Sequence, residues 1–589
     1  MSETERSMLA SVGLLAKLPG PVLDDLAATA SRLRLDAGAR LFEEGDRPEH
    51  LSVVMTGRLR VASADGTVER EVGHGECVGE MGVLTGEPRA ATVLAIRDTE
   101  VVQVPADAIM RAIAAAPSMI QDLTRLVVLR LRQPRPAPDA DRVVGVAQVG
   151  VSSARPGDDI TEALIASIRR HGVNVVCPGR DGTPDPAVDK DLHALVERVE
   201  AGGNGVVVLP LDDRTSWWDE ECAQQCDLIL LCATATASPP RPEHGVVRLL
   251  DRLRRAGVTP RRELVLVHPA RSTRPAPTTA RWLDAVEVGG HHHVRAGDRA
   301  HADRLARHLL GRTVGLVLSG RGARGIAHVG VYRALQELGI PIDHVGGSSI
   351  GAVMATQIAD EPDPAALAET NREQFTRADF GRRVTLPVLS VLSIRRVLPL
   401  FESLFGDRDL ADRWVPCFVT TVDLTDCELQ VRDRGPAARW TRASASPPGL
   451  WPPVVDAEGH LIVDGGLFDN LPVGPMAARG ADRVIAVNVS ASRALLVDPE
   501  VGEIDTWTGF ARNLAQRRVA YPHLATILTR MGLATSLPAT VRSADEADLL
   551  IEPAVQQYGL ATYKPFDDIV EAGYRAAVDA LDGWDRPTA

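Results

Sequence analysis

The stretch from residue 314 to residue 353 constrains the fold more than any other part of the sequence. It begins with a buried apolar strand, Val314–Leu318, followed by a Gly-rich turn at 320–325 and a helical pattern from Ile326 to Leu338. A second short apolar strand leads into Gly347-Ser-Ser-Ile-Gly351, and the chain then turns helical again. Two strand–turn–helix units in succession predict an α/β domain.

The Gly-rich turn is open to two interpretations. A Gly-x-Gly-x-x-Gly pattern after a strand is also typical of a dinucleotide-binding turn. That interpretation requires an acid at the end of the next strand, whereas Asp343 precedes that strand. The next strand instead leads into Gly347-x-Ser349-x-Gly351, a nucleophile elbow whose small residues permit a tight turn that exposes the serine hydroxyl. The helix dipole behind the serine and the N–H groups of the upstream loop favour a serine hydrolase.

The catalytic base has histidine and aspartate candidates. A Ser-Asp/Glu-His order requires a histidine downstream of the acid, and only His460 and His523 follow Ser349. His523 has no turn or strand end to present it. An apolar strand instead ends in Asp464, and the following Gly465-Gly466 lets another backbone approach closely. Asp464 could therefore take the serine proton directly, as a two-residue dyad.

The Gly-rich loop, the Gly-x-Ser-x-Gly and the Asp464-Gly-Gly, in this order, resemble the motifs of the patatin-like phospholipases. The segment 442–453 is similar to the same family. The resemblance implies a Ser349/Asp464 dyad without histidine that attacks ester bonds of lipids. The oxyanion hole that it implies consists of Gly320, Arg321 and Gly322.

One residue of this loop departs from the family pattern, in which three successive glycines are usual. The middle position here is Arg321. A backbone N–H survives that change, but a backbone angle available only to glycine would not. Arg324 in the same loop could orient the loop or face a lipid phosphate, and the sequence does not decide between these roles.

Composition limits the other functional classes. The chain has 589 residues, of which 45% are hydrophobic, and a net charge of −13, which argues against a general nucleic-acid binder. The acidic, polar N-terminus shows no signal peptide, and no apolar run approaches the roughly 18 residues of a membrane span. The seven cysteines are scattered and odd in number, which suits a reducing compartment. We expect a cytoplasmic protein, with peripheral membrane contact left open.

The N-terminal part predicts an antiparallel β-roll, because short alternating segments between residues 41 and 72 are separated by Gly and Asp turns. Residues 75–93 resemble the phosphate-binding cassette of cyclic nucleotide-binding domains. The short helix that begins near Gly79 suits an anion, and Arg89 could neutralise the cyclic phosphate. Glu80 could accept the ribose 2′-hydroxyl. The predicted nucleotide-binding residues are Gly79, Glu80, Arg89, Ala90 and Thr92.

The identity of the nucleotide is indicated by Ala90, at a position where a hydroxyl residue often favours cyclic GMP. Alanine there is more similar to the cyclic AMP type. The alternative is a degenerate roll that is kept only for packing. A long helix is predicted over residues 106–132, followed by a Pro-rich linker at 133–141.

Residues 142–310 alternate apolar runs with helical stretches, which predicts a parallel α/β region without a Walker-type phosphate loop. We predict no metal site there. Cys222 and Cys226 have no second pair nearby, and consecutive strand residues such as His291–His293 point to opposite faces.

The order of a nucleotide roll, an α/β region and a patatin-like domain resembles the neuropathy target esterase family of lysophospholipases. Trp217-Trp218, Cys226-Asp227 and Arg281-Trp282 are also similar to the middle region of that family. The chain departs from the family in having one roll rather than several, and in lacking an N-terminal membrane helix. The expected divisions are 1–132 for the nucleotide domain, 133–141 for the linker, 142–310 for the α/β region and 311–589 for the hydrolase.

The sequence therefore predicts a hydrolase of lipid carboxylic esters, a lysophospholipase or phospholipase, that needs no catalytic cofactor and responds to a cyclic nucleotide, with cyclic AMP favoured. The expected substrate is a lysophospholipid or another acyl-ester lipid, and the oligomeric state is left open. The alternative is a catalytically silent cyclic-nucleotide receptor that signals through a partner. Arg321 is the sequence feature that supports this alternative.

Overall fold

The computed structural model describes residues 18–63, 68–116, 119–120, 123, 142–148, 156–178, 192–202, 205–211, 217–240, 244–377, 390, 392–393, 398–490 and 524–584. The chain divides into two compact units, Met1–Ser272 with Arg281–Gly311 and Thr273–Ala280 with Arg312–Ala589. The predicted linker at 133–141 and His523 lie outside the described residues. Within those residues, none of the helices combines the length and the apolar character needed to cross a bilayer.

The first unit opens with eight short strands: β1 (Ser31–Leu35), β2 (Arg40–Phe42), β3 (His50–Thr56), β4 (Leu59–Ala62), β5 (Val68–Val72), β6 (Cys77–Val78), β7 (Thr92–Ala95) and β8 (Thr99–Pro105). They pair antiparallel in two four-stranded sheets, ordered β1-β8-β3-β6 and β2-β7-β4-β5. Inward-facing side chains such as Val53, Leu59 and Val102 are fully buried. This confirms the predicted antiparallel roll.

The helices beside the roll whose bounds the structure describes are α1 (Gly20–Thr29), α2 (Glu80–Thr85) and α3 (Ala106–Ala115). Helix α3 is shorter than the sequence predicted. It ends at Ala115, and Ala116 leaves the helical region with φ −134° and ψ 80°. Pro117 accounts for this end, because a proline ring disfavours the α conformation in the residue before it. The prediction of one continuous helix over 106–132 was therefore wrong.

A six-stranded sheet follows in the same unit: β9 (Arg142–Gln148), β10 (Asn174–Val176), β11 (Gly205–Leu211), β12 (Leu228–Thr234), β13 (Arg261–His268) and β14 (Gly290–Arg295). All neighbours pair parallel, in the order β10-β11-β9-β12-β13-β14. The described helices that lie between these strands or follow the last of them are α4 (Pro156–Arg170), α5 (Leu192–Ala201), α6 (Trp217–Gln224), α7 (Gly245–Arg255), α8 (Thr279–Ala285) and α9 (Arg299–Leu309). The predicted parallel α/β region is confirmed.

A buried network of charges joins the roll to this parallel sheet. Arg97, between β7 and β8, is 1% exposed, and its Nε donates to Asp227 Oδ1 at 2.7 Å. Its other end pairs with Glu200 at the end of α5. Arg58 Nε lies 3.2 Å from the same Asp227 oxygen. The N–H of Gly57 donates to Glu200 Oε2 at 3.1 Å. The roll and the sheet are therefore fastened by paired charges that are shielded from water.

The second unit contains an eight-stranded sheet: β15 (Val314–Leu318), β16 (His344–Gly347), β17 (Cys417–Asp423), β18 (Glu428–Arg432), β19 (Val454–Val455), β20 (Leu461–Asp464), β21 (Arg483–Val487) and β22 (Leu549–Ile551). The order is β19-β20-β17-β16-β15-β21-β22, with β18 paired to β17. The central strands β17, β16, β15, β21 and β22 are parallel, and β18, β19 and β20 are antiparallel additions.

The described helices of this unit are α10 (Ala327–Glu337), α11 (Ile350–Ile358), α12 (Pro364–Arg377), α13 (Leu398–Phe405), α14 (Ala437–Ser444), α15 (Val473–Ala478), α16 (Leu524–Glu546) and α17 (Phe566–Leu581). Short 3₁₀ turns lie at Gly322–Ile326 and Gly465–Leu467. The adjacent parallel strands β15 and β16 both end at the same edge of the sheet. The Gly-rich loop and the serine turn that follow them therefore meet at that edge.

Candidate active site

Ser349 forms a strained turn between β16 and α11. Its backbone angles are φ 55° and ψ −125°, a region that side chains rarely adopt and that costs on the order of 1–3 kcal/mol. A Cβ atom added at Gly347 would lie 2.6 Å from the Leu318 carbonyl oxygen, and one at Gly351 would lie 2.1 Å from it. Both glycines are therefore needed for the chain to turn this tightly. The serine side chain is left half-buried at the end of the strand.

Asp464 meets this serine from the end of β20. It lies opposite Thr421 in the antiparallel pairing of β20 with β17, and it is 5% exposed. Its carboxylate accepts a hydrogen bond from the Ser349 side chain and another, of 2.8 Å, from the Gly466 N–H. Burial raises the pKa of Asp464 to about 7, although these hydrogen bonds oppose the shift. The structure thus brings together the two predicted dyad residues.

The end of helix α14 holds both of these residues through hydrogen bonds. The Ser444 hydroxyl accepts the backbone N–H of Ser349 at 3.0 Å. Two residues later, the Ser446 carbonyl accepts the backbone N–H of Asp464 at 3.1 Å. Sequence reasoning did not assign this role. The similarity of the segment 442–453 to the patatin-like family assigned no such contact.

The Gly-rich loop is placed beside Ser349, but one of its predicted oxyanion donors is already in use. The Gly320 N–H donates to Asn470 Oδ1 at 3.1 Å, and Asn470 Nδ2 donates back to the Gly320 carbonyl at 3.0 Å. The oxyanion role of Gly320 therefore stays a prediction, since its N–H is engaged with Asn470 in this structure. This reciprocal pair instead fixes the start of the loop.

The residue that departs from the glycine pattern causes no backbone strain. Arg321 has φ −178°, an extended conformation that any residue adopts. Glycine is required at the next position, because Gly322 has φ 56° and an added Cβ would lie 2.3 Å from the Leu560 carbonyl oxygen. The guanidinium of Arg324 donates to the carbonyls of Tyr558 and Gln556 at 2.9 and 2.8 Å, contacts that orient the loop.

Histidine does not contribute to the dyad in the part of the chain that the structure describes: neither Ser349 nor Asp464 has a histidine among its hydrogen-bond partners. His460 Nδ1 lies 2.7 Å from Asp423 Oδ2 and 3.5 Å from Asp426 Oδ2. This ion pair raises the pKa of His460, mainly through the hydrogen bond to Asp423.

The predicted nucleotide cassette forms a second polar site, in the roll. Gly79 precedes α2 with φ 87°, and an added Cβ there would lie 2.4 Å from Arg89 Nη1. Arg89 donates to the carbonyls of Gly79 and His50 at 2.8 and 2.6 Å, and it lies 4.2 Å from the ring centre of Phe42. Burial lowers the pKa of Arg89, while Asp46, Glu80 and Glu49 oppose that shift.

The remaining cassette residues differ in placement. Glu80 is buried at the start of α2, beside Arg89. Ala90 is exposed, and the Thr92 hydroxyl accepts the backbone N–H of Glu44 at 3.1 Å. The structure therefore groups Gly79, Glu80 and Arg89 closely, and it engages Thr92 with a neighbouring turn.

Comparison with protein families matches three parts of the chain. Residues 316–477 match the patatin-like phospholipase family, and residues 32–116 match the cyclic nucleotide-binding domain. Residues 199–314 match the neuropathy target esterase family P-loop-like domain. The three matches follow one another in the order that the sequence predicted.

Individual proteins are similar over greater lengths. An uncharacterised NTE family protein of Mycobacterium tuberculosis is 30% identical, over 98% of this chain and 96% of that protein. Lysophospholipase nte1 of Neosartorya fischeri is 29% identical over 92% of this chain, which spans 41% of that protein. Among solved structures, the sensor domain of the transcriptional regulator DNR from Pseudomonas aeruginosa is 19% identical, with a TM-score of 0.21, over 22% of this chain and 94% of that chain. The chain belongs to the neuropathy target esterase (NTE) family, and it is an enzyme of the patatin-like phospholipase class that also carries a cyclic nucleotide-binding domain.

Proposed function

We propose that this enzyme is a lysophospholipase or phospholipase that cleaves carboxylic esters of lipids with Ser349 as nucleophile and Asp464 as base. The observation that carries the proposal is the hydrogen bond between the serine side chain and a buried carboxylate whose pKa is raised to about 7. A carboxylate of ordinary pKa would be a weak base toward a hydroxyl, and a base works best when its pKa lies near the working pH.

The reaction follows from this geometry. The Ser349 oxygen attacks the acyl carbonyl carbon while its proton passes to Asp464. The tetrahedral intermediate collapses as Asp464 returns the proton to the departing alcohol, which leaves an acyl-serine. Water then attacks the acyl carbon and gives a proton to Asp464, and the free fatty acid departs as the proton returns to Ser349.

The developing oxyanion would lie against the N–H groups that follow Gly320. Gly322 opens a 3₁₀ turn, where the first N–H groups lack partners within the turn. The extended conformation of Arg321 allows its backbone N–H to face the same side without a glycine. We therefore assign the oxyanion hole to Arg321 and Gly322, with the Asn470–Gly320 pair as its support. The silent-receptor alternative depends on Arg321 distorting the oxyanion hole. The φ of −178° at Arg321 gives no support for such a distortion.

The decisive experiment is hydrolysis of a lysophospholipid and of a short-chain nitrophenyl ester by the wild-type protein and by Ser349→Ala. We expect Ser349→Ala to lose activity by about a thousandfold or more, since loss of a nucleophile removes the covalent route. Its circular dichroism spectrum should match that of the wild type, because alanine fits the turn. Ester hydrolysis at near wild-type rate by folded Ser349→Ala would overturn the assignment.

The roll is proposed to bind a cyclic nucleotide, cyclic AMP in preference to cyclic GMP, as an effector of this hydrolase. Support comes from the buried pair of Glu80 and Arg89 at the start of α2, where an acceptor for ribose and a cation for phosphate lie together. Typical couplings of about 1–3 kcal/mol would change the rate roughly five- to hundredfold. Calorimetric titration with cyclic AMP, followed by the rate with and without saturating nucleotide, measures both binding and coupling.

The proposed divisions of the chain remain those given by the sequence: 1–132, 133–141, 142–310 and 311–589. The network around Arg97, however, makes the first and third of these segments parts of one packed unit.

A further inference from the structure

Three donor side chains meet at one end of the parallel sheet in the first unit, and none of them belongs to either site described above. Glu263 belongs to β13, His292 to the edge strand β14 and His308 to helix α9. One atom of each, a carboxylate oxygen and two imidazole nitrogens, all lie within 4.8 Å of one another. The proposed hydrolysis makes no use of them.

Both histidines approach the same carboxylate oxygen of Glu263. Glu263 Oε2 lies 2.9 Å from His292 Nε2 and 2.8 Å from His308 Nε2. Around a tetrahedral zinc ion with bonds of about 2.0–2.1 Å, neighbouring donor atoms are about 3.3 Å apart. Each of the two histidine nitrogens lies within about 0.5 Å of that separation from the Glu263 oxygen, and all three donor atoms lie within 4.8 Å of one another.

The second carboxylate oxygen is held from outside. Arg261 Nη2 donates to Glu263 Oε1 at 2.8 Å, so the two oxygens of this carboxylate face different partners. Ligating carboxylates and imidazoles are commonly fixed by such outer partners, which orient the donor atom toward the ion. The ion-facing oxygen is Oε2, on the side of the two histidines.

Burial also suits a bound cation. Glu263 and His292 are buried, while the His308 side chain keeps 14% exposure and offers a path for an ion and a water ligand.

We propose that Glu263, His292 and His308 bind a divalent transition-metal cation of the zinc type, with the remaining coordination positions taken by water. Two imidazoles and one carboxylate form a donor set that such ions prefer. The ion would connect β13, β14 and α9, and so fasten the edge strand and the last helix of the first unit. Of the three consecutive histidines, only the middle one takes part. His293 lies on the other face, with Nδ1 2.8 Å from His268 Nε2.

The first test uses the full-length protein after dialysis against a chelator. Zn(II) is titrated by calorimetry and Co(II) by visible absorption. We expect one equivalent of each ion to bind with a Kd in the micromolar range or tighter, and the Tm to rise by several degrees with saturating Zn(II). The Co(II) spectrum should lack the intense near-ultraviolet bands of thiolate ligation, because the proposed ligands include no cysteine. Absence of stoichiometric binding by the wild-type protein would overturn the proposal.

Variants then locate the ion. Glu263→Gln and His308→Gln preserve side-chain size and should each weaken Zn(II) binding at least tenfold, with circular dichroism as the check of folding. Should Glu263→Gln fail to fold, His308→Gln decides, because its side chain is the least buried of the three.

Two matched controls complete the test. His291→Gln changes the neighbouring histidine on the opposite face of β14 and should bind Zn(II) as the wild type does. His460→Gln disrupts the group formed with Asp423 and Asp426, whose donor atoms also lie within 4.8 Å of one another in the described residues. Binding that is lost in His460→Gln, or kept in both Glu263→Gln and His308→Gln, would show that the ion lies elsewhere.

Discussion

The hydrolase site and the nucleotide cassette both depend on a turn with a positive φ angle. They differ in the hydrogen-bond partners of their polar side chains. At the hydrolase site, strain at Ser349 is maintained by close packing of glycines, and the side chain is already bonded to Asp464. In the cassette, the Arg89 guanidinium is bonded to two backbone carbonyls of the roll itself. The first site is arranged for reaction, whereas the second is satisfied internally before any ligand arrives.

This difference matches what the two sites are proposed to do. Catalysis gains from groups that are fixed before the transition state, because reorganisation then costs nothing at the moment of reaction. An effector site must instead differ between its two states, since a ligand shifts an equilibrium only by its differential affinity. A phosphate that draws Arg89 toward itself would weaken its bonds to the Gly79 and His50 carbonyls. We therefore expect structural change on nucleotide binding around α2 rather than at the dyad.

The largest expected effect comes from Asp464→Asn. An amide keeps the shape and can still accept the Gly466 N–H, but it cannot take the serine proton. We expect kcat/KM to fall by about a thousandfold or more, comparable with Ser349→Ala, because residues that act as one unit are not additive. His523→Ala is the matched control and should retain most of the activity. An inactive but folded His523→Ala enzyme would show that the base is misassigned.

The raised pKa of Asp464 predicts that activity depends on pH, which is measured as kcat/KM from pH 5 to 9. Asp464 must be ionised to act as a base, and its pKa is about 7. The rate should therefore fall about tenfold per pH unit below that value and level off above it. Because the folded-state pKa is raised, the stabilisation from the protonated form is present at low pH and is lost as the pH rises through about 7. Asp464→Asn should accordingly have a higher Tm than the wild type at pH 8.

The next largest effect is expected in the nucleotide cassette. Arg89→Ala removes the cation that would meet the cyclic phosphate, so we expect cyclic AMP affinity to fall by about tenfold or more, as for loss of a charge-assisted contact. Calorimetry measures the change. Arg32→Ala, at an exposed arginine of the same roll that pairs with Glu100, is the control and should leave the affinity unchanged. Unaltered binding by Arg89→Ala would remove the basis of the proposed phosphate site.

A smaller effect is expected from Ser444→Ala, which removes the hydroxyl that accepts the Ser349 N–H. The strained turn should then relax in part, and kcat should fall about tenfold with little change in KM, as for a lost hydrogen bond of about 1–2 kcal/mol. Ser446→Ala is the matched control, because Ser446 holds Asp464 through its carbonyl, which alanine keeps. Equal losses in the two variants would argue that both serines act only through packing.

The smallest effect is expected from Arg321→Gly, assayed on the same ester. The extended backbone at Arg321 is open to any residue, so the oxyanion hole should already be functional and the rate should change less than about threefold. Activation of about tenfold or more would mean that the arginine impairs the wild-type site. It would also restore the silent-receptor hypothesis.

The elements that were predicted correctly are those whose cause is local in sequence. Ser349 could be placed at a tight turn because Gly347 and Gly351 flank it, and Asp464 at a strand end because two glycines follow it. The alternation of apolar runs likewise indicated the roll and the parallel sheet.

The features that were missed depend on partners distant in the chain. Asn470 takes the N–H of Gly320 from 150 residues away, and Ser444 reaches Ser349 across 95 residues. Neither spacing has a pattern that a single sequence reveals. His292 was considered only with its two neighbours, whereas its contacts are Glu263 and His308 on other elements.

The Arg97 network restricts how a signal could leave the nucleotide roll. Pulling the roll away from the parallel sheet would separate Arg97 from Asp227 and Glu200, and each charge would have to regain water before the other contacts could yield. Detachment of the roll as a free module is therefore an unfavourable way to transmit nucleotide binding. A conformational change at α2 would instead have to spread through the first unit as small displacements of packed elements. The ion pairs of Arg97 would stay formed during this change and would carry the displacement from the roll to the parallel sheet.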